Sequence, residues 1–130
     1  MQIAVLYLGT AVIFLGLDAL MLKLHMQPLF QRHLGAALLD SPRFGPAALF
    51  YAAYIAGLLY LVSYPALKTG SALVIPAAII GAMAYGTYEF TSYAVMKDWS
   101  PVMVATDVIW GTVLTAVSAW GGVAITRALI

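Results

Sequence analysis

The chain contains no cysteine. Thiolate metal sites, catalytic thiols and disulfides are therefore excluded. Charge is nearly as scarce. Six Lys or Arg and five Asp or Glu amount to 8% of the 130 residues, against about a quarter in an ordinary soluble domain. So few charges cannot cover the surface of a water-soluble globule. A soluble enzyme, a nucleic-acid-binding domain and a disordered chain are all excluded. The formal net charge of +1 gives no reason to expect a polyanionic partner. Internal repeats, low-complexity segments and lipidation motifs are also missing. What is abundant is apolar: 64% of residues are hydrophobic, and the mean hydropathy is +0.98.

A membrane helix needs roughly 20 mostly apolar residues, each rising 1.5 Å. Four stretches qualify: residues 2–22, 47–67, 71–96 and 101–124. In lipid every backbone N–H and C=O must be satisfied internally, so these runs are expected to be helices. A β-barrel would need at least eight strands with period-two patterning. The first run reads as a retained helix rather than a signal peptide. Only Met1 and Gln2 precede its apolar core, and no small-x-small cleavage site closes it. The expected fold is therefore an all-α, single-domain, four-helix transmembrane bundle.

Lys68-Thr69-Gly70 joins helices two and three, and residues 97–100 join three and four. Such short loops force antiparallel neighbours. The first connection, Lys23 to Pro46, is longer. Gln27-Pro28 reads as a helix start, with proline at the first turn. Leu29, Phe30, His33, Leu34, Ala37 and Leu38 then share one face, and Gln31, Arg32 and Gly35 another. That is the pattern of a short amphipathic helix lying in the interface; a plain connecting loop is the alternative. Connections one and three carry Lys23, Arg32, Arg43 and Lys97, against Lys68 and Arg127 on the other side. The positive-inside rule then puts connections one and three in the cytoplasm.

Asp40 and Asp98 fall in connections, whereas Asp18, Glu89 and Asp107 lie inside the spans. Helices one and three run the same way, and helix four begins where three ends. All three acids therefore sit toward one membrane face, roughly 6–12 Å below the helix ends. Acids inside a bilayer are costly enough to suggest a site. Gly81, Tyr85, Tyr88, Glu89 and Ser92 form a stripe on helix three, and Asp107 shares a face with Trp110 and Gly111. Phe50, Tyr51 and Tyr54 open helix two on the same side. Tyr and Ser hydroxyls supply the donors that buried carboxyls need. The candidate pocket is thus Asp18, Tyr51, Tyr54, Tyr85, Tyr88, Glu89, Ser92, Asp107 and Trp110. Three readings compete: hydrogen-bonded packing between helices, a ligand or catalytic pocket, and an ion or proton path. A metal site is disfavoured, because no Glu-x-x-His-like pair occurs and Pro28 interrupts His25 and His33.

Tyr7, Tyr51, Tyr64, Trp99 and Trp120 lie near helix ends and read as an interfacial aromatic belt, with Trp99 as an anchor. Gly111, Thr115, Ser118 or Ala119, and Gly122 form a small-residue stripe suited to close helix packing.

The run Tyr85 to Ala94 (YGTYEFTSYA), then Trp99, then Asp107 to Thr112 (DVIWGT) resembles the signature of a family of small predicted membrane proteins, domain of unknown function 2177. The family pattern is Tyr-x-Thr-Tyr-Asp-x-Thr-Asn-x-Ala, a Trp-Pro turn, then Asp-x-x-Trp-Gly. Asp18 matches its late helix-one aspartate. Phe50, Tyr51, Tyr54, Pro65 and Ala66 match the start and end of its second helix. Glu89 stands where the family has aspartate, Ser92 where it has asparagine, and Met21 where tryptophan is common; Ser100 intervenes before Pro101. A longer acid suits a loose hydrogen-bonding role better than a tight metal or catalytic geometry. The resemblance implies a four-span membrane protein of bacterial type, in the inner membrane, and implies no activity or cofactor. Three functions follow as expectations: a pocket for a small molecule or lipid headgroup, a non-enzymatic accessory subunit of a larger membrane complex or homo-oligomer, and a small dimeric exporter. The exporter is the weakest, since Thr10 to Gly16 in mid-helix one holds no acid.

Overall fold

The computed structural model describes residues 1–35 and 43–130. Ala37, Leu38 and Asp40, named above, lie outside the described residues. Within them the elements are α1 (Gln2–Met21), α2 (Gln27–Leu34), α3 (Phe44–Leu58), α4 (Tyr64–Thr69), α5 (Val74–Val95) and α6 (Pro101–Leu129). The fold is all-helical. Three stretches are long and apolar enough to cross a bilayer: Gln2–Leu34, Phe44–Thr69 and Pro101–Leu129. The 22 residues of α5 rise about 33 Å, which is also sufficient length. Its second half carries Tyr85, Thr87, Tyr88, Glu89, Thr91 and Ser92, and these polar groups dilute its apolarity.

The first helix does not stop at Lys23. A single turn of π-helix, Leu22–Met26, joins α1 to α2, with Leu22, Met26 and Gln27 all in right-handed helical geometry. Pro28 therefore sits within a continuing helix instead of starting a separate one. A second π turn, Leu59–Ser63, joins α3 to α4. Each π turn ends two residues before a proline, Pro28 or Pro65. The reason is steric. A proline ring collides with the carbonyl four residues back and offers no N–H to it, and widening the preceding turn moves that carbonyl aside. The faces of α2 fall as its pattern predicts. Leu29 and Leu34 are buried, Phe30 and His33 half-buried, and Gln31, Arg32 and Gly35 exposed.

α6 is the hub. It packs along α1 on one side and α5 on the other, and it touches the π turn Leu59–Ser63 and α4. The small-residue stripe makes this possible. A methyl added at Gly122 would overlap Thr10, at Gly111 it would enter the Tyr85 ring, and at Gly81 it would strike the Gly111 carbonyl. Without a hydrophobic drive between helices in lipid, such close backbone approach supplies the dispersion that holds them. Gly9 faces Gly122 while Trp110 reaches Asp18, so α1 runs antiparallel to α6. Gly81 faces Gly111 and Trp99 reaches Glu89, so α5 is antiparallel too.

Two features finish the helix ends. Ser100 accepts the Met103 amide at 3.2 Å and caps α6, which gives a function to the residue inserted before Pro101. Gly70 closes α4 at φ 70°, a left-handed geometry that suits glycine. Outward, every long helix exposes large apolar side chains, among them Val12, Leu49, Ile75 and Val113. Surfaces this apolar on all sides call for lipid as the solvent.

Candidate functional site

The polar interior sits at the end of the bundle where α1 passes into its π turn, α3 begins, α5 ends and α6 begins. Phe14, fully buried, tilts against the rings of Tyr51 and Tyr54 at 5.7 and 5.6 Å. Phe50 stacks on Tyr54 at 6.0 Å. Beside these rings lies a cavity of about 390 Å³, lined by Asp18, Tyr51, Tyr54, Tyr85, Tyr88 and Asp107 among the polar residues, with Leu22, Met26, Phe30 and Phe50 among the apolar ones. That volume falls in the usual range for small-molecule sites. The cavity is partly open. α3 and α5 barely touch, and the exposed rings of Phe50 and Tyr88, one from each helix, flank the gap between them.

Two of the three acids, Asp18 and Glu89, are each held by an indole. Trp110 Nε1 donates to Asp18 Oδ1 at 3.1 Å, and Trp99 Nε1 donates to Glu89 Oε1 at 2.8 Å. Trp99 is buried, with Phe30 and Tyr88 each 5.7 Å away ring to ring. It is an interior donor, and the interfacial-anchor expectation for it is incorrect. Its place at a turn concealed this, because the turn folds back over the helix ends. Trp110 likewise pairs with α1's acid and not with Asp107 on its own helix. Tyr51 belongs to the cavity wall, not to a belt, and its hydroxyl faces Asp18.

Glu89 is wholly buried, and its Oε2 has no donor. The Asp107 carboxyl lies within hydrogen-bonding reach of it. Two carboxyls can join only when one carries a proton, since each is otherwise acceptor-only. Glu89 sits behind Asp107, one layer back from the cavity. The Tyr85 hydroxyl is also buried without a partner, while that of Tyr54 pairs with Thr115 Oγ1 at 2.9 Å. Ser92 is half-buried and does not line the cavity.

Among the described residues, no lysine, arginine or histidine lines the cavity. Lys68 and Arg127 serve the far end of the bundle, donating to Gln2 Oε1 at 2.8 Å and to the Ala66 carbonyl at 3.0 Å. His33 Nδ1 is 3.0 Å from the Leu29 carbonyl on its own helix. Among the described residues, no three His, Asp or Glu side chains are grouped to hold a metal ion.

The pattern of the DUF2177 family, described as a predicted membrane protein, matches residues 3–124. The chain belongs to this family. No curated protein and no solved structure matches it.

Proposed function

We propose that this protein is a four-span integral membrane protein whose cavity binds a small amphiphile entering from the lipid. α5 serves as the fourth span and α2 as the amphipathic cap, leaving the bilayer where Lys23, His25 and Arg32 begin. The amphiphile's polar head lies against Asp18 and Asp107, and its apolar tail leaves between α3 and α5. One observation carries the reading: a partly open cavity walled by two acids and four tyrosines, beside two helices, α3 and α5, that scarcely meet. An acid left inside a bilayer needs a partner, and the indoles satisfy only one oxygen each of Asp18 and Glu89.

The indole bonds favour a second role for the same acids. They tie α1 and the turn before α6 to their neighbours, as polar groups do between membrane helices. Packing alone would leave no space between these residues, and the cavity favours the binding role beside it. An accessory-subunit role would leave the cavity as it stands and cover the outer faces instead.

Filling the cavity tests the reading. Ala84 lines it, so Ala84→Phe is expected to abolish amphiphile retention, read by native mass spectrometry of the detergent-purified protein. Thermal stability should hold. Equal retention by the filled and native proteins would overturn the proposal. The absence of native cysteine makes the topology equally testable. Lys97→Cys and Lys68→Cys are expected to label from opposite sides of inner-membrane vesicles, Lys97→Cys from the cytoplasmic side.

A further inference from the structure

We propose that the cavity selects a cationic head, an alkylammonium group on an apolar chain; this deepens the amphiphile reading above and rests on it. The first argument is charge. α1 contributes Asp18, α6 contributes Asp107, and Glu89 of α5 stands directly behind. The only other polar residues from α3 and α5 are tyrosines, beside Ala47, Phe50 and Ala84, and the π turn and α2 add Leu22, Met26 and Phe30. Among the described residues, no side-chain cation reaches the cavity and its acids make no ion pair. Buried carboxyls without a counter-charge must either hold protons or accept a cation.

The second argument is the wall. Tyr51, Tyr54, Tyr85 and Tyr88, with Phe50, surround the space. Aromatic faces attract a cation by their quadrupole, and they do so best where water is excluded, as in sites for quaternary ammonium groups. Such a head also needs no hydrogen bond from the rings.

The third is the unpartnered oxygen. Glu89 Oε2 is fully buried and without a donor, and the Glu89 side chain lies beside Asp107 at the cavity wall. A cation seated at Asp107 supplies positive charge to this pair and stands in for the shared proton. An anionic head would add a third negative centre to a desolvated site, which low dielectric makes prohibitive. The gap between α3 and α5 lets a chain remain in lipid while its head stays inside.

The test uses the full chain in dodecyl maltoside, so that the detergent is itself the neutral competitor with the same chain. Dodecyltrimethylammonium is titrated, with dodecanoate as the anionic control. Binding is read from tryptophan fluorescence, since Trp110 bonds Asp18 and Trp99 bonds Glu89. The cation is expected to bind saturably and dodecanoate not at all. The shape-conserving double variant D18N/D107N is expected to weaken cation binding at least tenfold while its melting temperature stays near native. A lyso-phosphatidylethanolamine competition arm distinguishes sources. Displacement assigns the ammonium head to a membrane lipid, and no displacement assigns it to a free amphiphile; both support the cationic preference. Equal affinity for cation and anion, or an unchanged affinity in a folded D18N/D107N protein, would overturn it. In that case Ala84→Phe still reports separately on whether any amphiphile binds.

Discussion

Glu89 offers the sharpest test of the acid cluster. Its Oε1 accepts Trp99 Nε1 at 2.8 Å, its Oε2 has no donor, and the Asp107 carboxyl lies beside the side chain. Glu89→Leu removes the acceptor and leaves a buried indole N–H unsatisfied. A stranded buried donor costs about 1–3 kcal/mol, and side-chain bonds inside membrane proteins are worth about 0.6–1.7 kcal/mol. A loss of about 1–2 kcal/mol follows, a factor of roughly 5–30 in the folded-to-unfolded ratio. The melting temperature should drop by about 3–10 °C for a chain of this size. Glu89→Gln has the opposite logic. The amide oxygen still accepts from Trp99, and the amide N–H supplies the donor that Oε2 and Asp107 lack. Its melting temperature should equal or exceed the native value. Thermal unfolding in detergent, followed by near-ultraviolet circular dichroism, reads both variants. If Glu89→Gln proves as damaging as Glu89→Leu, the carboxyl pair is not short of a donor and the reasoning fails.

Other changes follow from the packing. Gly111→Ala should cost about 1–3 kcal/mol through overpacking, since the new methyl would enter the Tyr85 ring. By pushing that ring into the cavity it should also reduce amphiphile retention in the same native mass spectrometry assay. Ser100→Ala removes the α6 cap and should cost about 0.5–2 kcal/mol, visible as a lower melting temperature with binding unchanged. Tyr54→Phe breaks the bond to Thr115 at a cost of about 0.6–1.7 kcal/mol. Because it keeps the ring, cation affinity should persist, which fluorescence titration checks.

The candidate residues were legible to different degrees. Asp18, Tyr51, Tyr54, Tyr85, Tyr88 and Asp107 all line the cavity. Counting residues from helix ends and alternating helix direction is enough to bring them to one level. Glu89 lies behind that wall, Trp110 beside Asp18, and Ser92 apart. A stripe at i, i+3/4 spacing spans a wide arc, so it cannot tell which member faces a cavity and which a neighbouring helix. Trp99 was misread because a tryptophan at a loop has the same local pattern whether it points to headgroups or folds inward. The π turns were also hidden. Pro28 signals a disturbed helix, but whether the helix ends or widens depends on what the following residues can pack against. Here Met26, Leu29 and Leu34 find Trp99, Met103 and Val104, and the helix continues.

Amino-acid order by itself determined the solvent, the helical state and the end of the bundle where the acids lie. Hydropathy and the need to satisfy backbone groups in lipid act locally, residue by residue. Tertiary structure alone decided which donor meets which acid, Trp110 reaching Asp18 across 92 positions, and where a gap would remain between α3 and α5. These outcomes depend on how each helix is rotated about its axis. A helix that is apolar nearly all round has little amphipathic preference to set that rotation, so glycine contacts, indole bonds and proline-widened turns set it instead.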